Sequence, residues 1–145
     1  MTLQAILLPL FVQIGLTFFL GLWMARERTA CFKRREVKWQ DIALRQTPWP
    51  GRAQQISNCF GNQFEIPVLF YVLAGLAILT KKADLLFVVM EWLFVATRVA
   101  HAAVFTTSNY VPLRGQLFIA GTLLLLFMWG FFAFQILAVP WTGAL

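Results

Sequence analysis

The chain has 145 residues, of which 60% are hydrophobic and only 12% are charged. Ordinary soluble domains carry about 25% charged residues, so the composition excludes a soluble domain and indicates an integral membrane protein. The net charge of +6 does not indicate a nucleic-acid partner, because the basic residues cluster between apolar segments, as juxtamembrane charges do.

Four long apolar segments predict the fold. They cover residues 3–24, 56–80, 85–107 and 116–139, and each exceeds the roughly 18 residues that indicate a transmembrane helix. Because a helix needs about 20 residues to cross the bilayer, four helices and their connections nearly fill the chain. We therefore predict an all-α, four-transmembrane-helix bundle that forms a single membrane domain over residues 1–145.

The basic residues predict how the helices are oriented. Segment 25–52 holds eight Lys or Arg residues and three acidic ones, and Arg114 lies in the connection at 108–115. The opposite side carries only Lys81 and Lys82. The positive-inside rule then places segments 25–52 and 108–115 in the cytoplasm and both termini outside.

The long first loop has an amphipathic stretch, in which Val37, Trp39, Ile42 and Leu44 alternate with charged residues. Two interpretations stay open: a helix that lies along the lipid headgroups, or a solvated face. The segment from Pro48 to Gly51 is expected to interrupt the chain before the second helix. The chain has one His and two Cys residues at unrelated spacings, so no metal site is expected.

Polar side chains within the membrane segments are concentrated in the second and third helices. They are Asn58, Asn62 and Glu65 in the second helix, and Glu91, Arg98 and His101 in the third. An ionisable residue near the bilayer centre costs at least about 2.5 kcal/mol, so these side chains are expected to face other helices. Glu65 and Arg98 lie at similar depths, which predicts a buried ion pair. The pair would either fix only the helix register or also serve a ligand. Glu91 has no evident charged partner, and its role stays open between a structural acid and a proton relay.

Two motifs in these helices resemble a known family. The first motif lies in the second helix and reads Asn62-Gln63-Phe64-Glu65-Ile66-Pro67, with Arg52-Ala53 before it and Val68-Leu69-Phe70-Tyr71 after it. It resembles the second-helix signature of the MAPEG family, the membrane-associated proteins in eicosanoid and glutathione metabolism. The second motif is Arg98-Val99-Ala100-His101, which Arg114 follows thirteen residues later. It resembles the third-helix motif of the same family. The order of four helices and the long basic first loop also agree, so the resemblance covers nearly the whole chain.

The resemblance implies a homotrimer that binds glutathione between neighbouring subunits near the cytoplasmic face. The residues that correspond to the family's glutathione ligands are Asn62, Glu65 and either Arg26 or Arg28, with Arg114 as the arginine that stabilises the thiolate and His101 near the pocket. This assignment is chemically coherent, because a thiol of pKa about 8.5 is mostly protonated at neutral pH and a guanidinium favours its thiolate form.

The position of the basic residues extends this predicted site. Four arginines are predicted at the cytoplasmic helix ends: Arg26, Arg28, Arg52 and Arg114. They flank the polar stripe of Asn58, Asn62 and Glu65, and we expect them to surround an anionic ligand. The alternative interpretation is that these arginines only anchor the helices to anionic headgroups.

The chain also departs from the family pattern. Phe105 stands where well-studied enzymes have a tyrosine, Gly115 and Phe118 replace hydroxyl-bearing residues, and Gly61 replaces an arginine. Several glutathione contacts are therefore missing, and the motifs look closer to bacterial members of unassigned activity, which predicts the bacterial inner membrane as the location.

Two functions follow as hypotheses. The first is a glutathione-dependent transferase or peroxidase that acts on lipophilic compounds entering from the bilayer. The second is a non-catalytic membrane protein that binds a lipid or a partner in the intersubunit groove. A transporter ranks behind both, because a four-helix protomer without an internal repeat offers little for alternating access.

Overall fold

The computed structural model describes residues 2–43 and 49–138, and within these ranges all regular structure is helical. The helices are α1 (Leu3–Lys33), α2 (Trp39–Ile42), α3 (Gly51–Gly61), a 3-10 turn (Asn62–Phe64), α4 (Ile66–Leu79), α5 (Leu85–Thr106) and α6 (Val111–Leu137). Four helical segments are long and apolar enough to cross a membrane, which confirms the predicted fold class. They are α1, the stretch Gly51–Leu79, α5 and α6.

The helices extend further toward the basic loops than hydrophobicity predicts. The helix α1 continues past residue 24 to Lys33, and α6 begins at Val111 rather than at 116. Charged residues with high helix propensity prolong α1, and Trp23 Nε1 donates to Glu27 one turn later at 3.0 Å. Pro112 lies at the start of α6, where its missing N–H costs no helical hydrogen bond.

The second span is not the continuous helix that the sequence predicts. The 3-10 turn separates α3 from α4, and Glu65 between them has φ −98° and ψ −108°, outside the helical region. The side chains of α1 and the turn hold this break in place: Gln13 Nε2 donates to Gln63 Oε1 at 2.9 Å, and Gln63 Nε2 donates to Cys59 O at 3.1 Å. Both glutamines are buried, so the break is a fixed feature of the bundle.

The apolar core lies between α4, α5 and α6. Phe70 and Phe94 pack with ring centroids 4.7 Å apart, and Met128 of α6 is fully buried beside them. A close approach of α5 and α6 occurs at Gly121, where a Cβ atom would lie 2.6 Å from Thr97 Oγ1 and 2.9 Å from Arg98 Nη2. A glycine is therefore required for this helix contact.

The first loop folds back on the end of α1. Trp39 of the short helix α2 stacks on Phe32 with centroids 4.1 Å apart, and Val37 is buried. Arg34 Nε donates to Glu36 at 2.7 Å, and this hydrogen bond lowers the pKa of Glu36. Leu44 and Pro48, which belong to the predicted amphipathic stretch and chain interruption, lie outside the described residues.

Candidate functional site

A groove with a volume of about 630 Å³ opens between α3, α5 and α6. We call it the polar groove, and its polar lining consists of Ser57, Asn58, Asn62, Glu65, His101 and Arg114. Volumes of about 300–1,000 Å³ are typical of small-molecule sites. The structure thus brings together five of the predicted ligand residues and adds Ser57.

The break in the second span determines how its polar residues are presented. Asn58 and Asn62 lie one turn apart at the end of α3, and Glu65 follows the 3-10 turn as the residue before α4. Asn58 Oδ1 accepts a hydrogen bond from Gln54 Nε2, which orients its amide. Asn58 and Glu65 are exposed and Asn62 is half-buried, so a ligand can reach all three side chains.

Arg114 is held at one wall of the polar groove. Its guanidinium carbon lies 4.0 Å from the ring centroid of Phe105, and its Nη1 donates to Asn109 Oδ1. Asn109 has a φ of +50°, a left-handed conformation that asparagine adopts more readily than most residues. The turn before α6 therefore places an amide oxygen where it orients the guanidinium.

The inner wall of the polar groove is aromatic. His101 is buried, and its ring centroid lies 5.7 Å from that of Phe105 and 5.9 Å from that of Phe118. Ile119 completes the apolar lining. The groove therefore presents a charged and amide-rich side next to an apolar side, which suits an amphipathic ligand.

The predicted ion pair between Glu65 and Arg98 is not formed in the structure, which corrects the sequence interpretation. Arg98 is 1% exposed, and its Nη2 donates to the backbone oxygen atoms of Leu117 at 3.1 Å and Phe118 at 3.5 Å. Its guanidinium also lies 5.2 Å from the ring centroid of Phe118. Counting along the helices predicts similar depths for the two residues. In the structure, however, Arg98 donates to α6 while Glu65 lies exposed in the polar groove.

The structure separates Arg26 and Arg28, which both lie within α1. Residues two positions apart differ by about 200° around a helix, so Arg26 and Arg28 lie on opposite faces. Arg28 Nε donates to Ser57 Oγ at 3.1 Å, which places it next to the polar groove, and its guanidinium lies 4.8 Å from the ring centroid of Trp49. Arg26 is exposed and lines a different depression. Of these two candidates, Arg28 is the one that contacts a groove residue.

Arg52 also lies outside the polar groove. It is exposed, and its guanidinium lies 5.1 Å from the ring centroid of Trp23 on α1. Its Nη1 is 3.4 Å from Gln55 Oε1. Within this chain, Arg52 thus lies on the surface of Trp23 and Arg26 rather than in the polar groove with Arg114.

Three features of the site have no clear signal in the sequence. Ser57 and Asn109 are common residue types, and their roles depend on contacts with Arg28 and Arg114 across helices. The break at Asn62–Phe64 follows from side-chain pairing between α1 and the second span. Pro67 is the one visible hint of a break, since proline is favoured at the first turn of a helix.

Comparison with known proteins decides the family. The sequence model of the MAPEG family matches residues 6–134, a range that contains every residue of the polar groove. The chain belongs to the MAPEG family. No curated protein and no solved structure matches the chain. As a MAPEG protein with four spanning helices, it is an integral membrane protein of a family in eicosanoid and glutathione metabolism.

This MAPEG protein shows no cluster suited to a metal ion in the part of the chain that the structure describes. There, no three His, Cys, Asp or Glu side chains lie close enough together to hold one. Cys31 and Cys59 are both buried thiols without a disulfide.

Proposed function

We propose that this MAPEG protein binds glutathione in the polar groove and uses its thiol in a transferase or peroxidase reaction on lipophilic compounds. The observation that carries the proposal is the convergence of Asn62, Glu65 and Arg114 on one groove of about 630 Å³. The compounds would enter from the bilayer, along the apolar side of the groove.

The groove matches the functional groups of glutathione, which has two carboxylates, one ammonium group and one thiol. Glu65 is the carboxylate suited to accept hydrogen bonds from the ammonium group. Asn58 and Asn62 offer amide donors and acceptors, and Arg28, beside Ser57, supplies a guanidinium for a carboxylate.

Arg114 is the residue that we assign to the thiol. A guanidinium near a thiol stabilises the thiolate, which is the nucleophile in both proposed reactions. Asn109 accepts from Nη1 of Arg114, and an arginine has five N–H donors, so further donors remain to be directed into the groove. His101 is buried and packs beside Phe105 and Phe118, and we assign it to the wall of the site rather than to the thiol.

The experiment that tests this assignment is a titration of the bound thiol. Thiolate absorbance of the glutathione complex is measured against pH for the wild type, for Arg114→Ala and for Arg35→Ala as an exposed control. The wild type and the control should give a thiol pKa below the ordinary value of about 8.5, and Arg114→Ala should return it to that value and abolish turnover. Equal titrations in all three proteins would leave Arg114 as a membrane anchor.

We further propose that the protein forms a homotrimer in the bacterial inner membrane, with the second spans nearest the axis and both termini outside the cytoplasm. The basic residues of the first loop support the orientation. Large apolar side chains are exposed on every span, including Phe18, Leu69, Leu93 and Leu126, and offer surface both for lipid and for neighbouring protomers. Mass measurement in detergent tests the trimer, and monomers or dimers alone would contradict it.

A second candidate function is non-catalytic binding of a lipid or a partner in the same groove. The apolar wall of Phe105, Phe118 and Ile119 favours it, because these residues offer no hydroxyl group to a thiolate. The two functions differ in one result: the non-catalytic protein retains a lipid in the groove and shows no saturable glutathione binding.

A further inference from the structure

Glu91 of α5 is a buried acidic side chain that the proposed reaction does not use. It is 0% exposed, whereas the other five acidic residues, all within the described ranges, are exposed or half-buried. Neither of its carboxyl oxygen atoms has a hydrogen-bond partner among the residues that the structure describes. A buried polar group without a partner destabilises a fold, so its retention calls for an explanation.

The neighbouring helices bring no cation to this carboxyl group. Residues 3–24 of α1 contain no ionisable side chain, and α4 contains only Tyr71. Arg52 of α3 is exposed at the start of its helix, and Arg114 lies in the first turn of α6, at the polar groove.

The charged residues of α5 and of the connection before it are not partners of Glu91 either. Arg98 lies seven residues further along, a rise of about 10.5 Å, and donates to α6. His101 lies three residues beyond Arg98. The connection before α5 has three charged residues, and none forms an ion pair with Glu91: Lys81, Lys82 and Asp84. A carboxylate here would be buried without a counter-charge, which is far more costly than burial of a neutral carboxyl group.

The helices α1 and α5 run in the same direction, because both are antiparallel to the second span. One buried cluster joins the three elements: Leu20 of α1, Cys59 of α3 and Ala102 of α5. After Cys59 in the second span, Gln63 pairs with Gln13, which precedes Leu20 in α1. Before Cys59, Gln55 donates to the backbone oxygen of Phe105, which follows Ala102 in α5.

This register places Pro9 of α1 opposite Glu91 of α5. Pro9 lies eleven residues before Leu20, and Glu91 lies eleven residues before Ala102. Eleven residues are almost three whole helical turns, so Pro9 and Glu91 lie on the same faces as Leu20 and Ala102, about 16.5 Å away along the helices. The Pro9 side chain is less than 2% exposed, as expected for a residue inside this contact.

Pro9 creates the acceptor that a neutral Glu91 requires. A proline inside a helix has no N–H group, so the carbonyl oxygen of Ala5, four residues earlier, has no regular helical donor. Helical side chains tilt toward the N-terminus of their helix, which directs the Glu91 carboxyl group from the level of Pro9 toward that of Ala5. A neutral carboxyl group has one O–H donor for such an oxygen.

We propose that Glu91 is a proton-binding site inside the bundle, with the carbonyl oxygen of Ala5 as the acceptor of its O–H group, reached directly or through one water molecule. The bound proton removes the charge that burial penalises. The unfolded chain releases this proton above the ordinary glutamate pKa of about 4.3. The folded protein therefore binds more protons than the unfolded chain above that pH, and its stability falls as the pH rises. The proposal is independent of the ligand in the polar groove.

Infrared spectroscopy of the full chain at neutral pH, in a detergent without ester groups, tests the bound proton. A neutral carboxyl group has a C=O stretching band that a carboxylate lacks. The wild type should show one such band, and unfolding at the same pH should remove it. Glu91→Gln should lack the band, whereas Glu36→Gln, at an exposed glutamate of the first loop, should retain it.

The variant Pro9→Ala tests the acceptor. The new N–H group donates to the carbonyl oxygen of Ala5 and competes with Glu91 for it, so the frequency of the C=O band should shift. Pro112→Ala, which changes a proline at the start of α6, should leave the frequency unchanged.

The pH dependence of unfolding provides an independent measurement. Above a pH of about 4.3, the unfolding equilibrium constant of the wild type should rise by up to about tenfold per pH unit relative to that of Glu91→Gln, as expected for the release of one proton. Equal pH dependence of the two proteins would contradict the proposal.

The spectra can also overturn the proposal. A folded wild type without a neutral carboxyl band at neutral pH would exclude the bound proton, and so would a band that persists unchanged in Glu91→Gln. An unshifted band in Pro9→Ala would exclude the carbonyl oxygen of Ala5 as the acceptor.

Discussion

Replacing Gly121 by alanine is expected to destabilise the contact between α5 and α6. The added Cβ would lie 2.6 Å from Thr97 Oγ1, 2.9 Å from Arg98 Nη2 and 3.2 Å from Arg98 Nε. Separations below 3.0 Å force movement of the neighbours. Arg98 cannot move without loss, because the same Nη2 donates to the backbone oxygen atoms of Leu117 and Phe118.

The size of the effect follows from three terms. Overpacking a well-packed interior costs about 1–3 kcal/mol, and a weakened interhelical hydrogen bond in a membrane protein adds about 0.6 kcal/mol on average. Replacing glycine by alanine in a helix interior returns about 0.5–1 kcal/mol. We therefore expect Gly121→Ala to lower the free energy of unfolding by about 0.6–3 kcal/mol.

Gly130→Ala in the same helix is the matched control. A Cβ atom at Gly130 has no atom within 4 Å, so this substitution should leave stability unchanged or raise it slightly. Both variants would be unfolded from detergent micelles with a denaturing detergent, with helix content as the signal. Equal stability of Gly121→Ala and Gly130→Ala would refute the argument that glycine is required at the α5–α6 contact.

Three further predictions concern the polar groove and the break in the second span. Glu65→Gln should weaken glutathione binding about tenfold, which is the loss expected for one charge-assisted hydrogen bond. Because Glu65 is exposed and does not pair with Arg98, the temperature of thermal unfolding should not change. A large loss of stability would restore the ion-pair interpretation. Asn109→Ala removes the acceptor of Arg114 and the left-handed preference at that position, so it should raise the pKa of the bound glutathione thiol toward its free value. Asn109→Gly retains the left-handed preference but lacks the acceptor, and it should raise that pKa as well. A wild-type titration in both variants would contradict the positioning role of Asn109. Gln13→Leu leaves the buried Oε1 atom of Gln63 without its donor and should cost about 1–3 kcal/mol of unfolding free energy. The double variant with Gln63→Leu should recover part of that loss, and additive losses would show that the two side chains do not act as a pair.

The sequence predicts the four spans because hydrophobic length alone distinguishes a membrane helix. It predicts their ends less well, since the extension of α1 to Lys33 depends on helix propensity and side-chain contacts beyond the bilayer core. The resemblance to the MAPEG family, carried by the motifs at Asn62–Pro67 and Arg98–His101, is confirmed by the family match over residues 6–134.

The candidate site is predictable in its residue types but not in its geometry. Counting residues along helices gives depth, and depth places Glu65 and Arg98 at one level. The direction in which a side chain points depends on helix rotation, and this rotation turns Arg98 toward α6. The same limit applies to Arg26 and Arg28, which the sequence interpretation leaves as alternatives and which the contacts of α1 place on opposite faces.

Saturable binding of glutathione to the purified protein tests the central claim most directly. Equilibrium dialysis with labelled glutathione would compare the wild type, the double variant Asn62→Ala with Glu65→Ala, and the control Gln40→Ala, which changes an exposed residue of the loop outside the polar groove. We predict saturable binding in the wild type and the control, and its loss in the double variant. Equal binding in all three proteins, or no saturable binding in the wild type, would contradict glutathione binding in the polar groove.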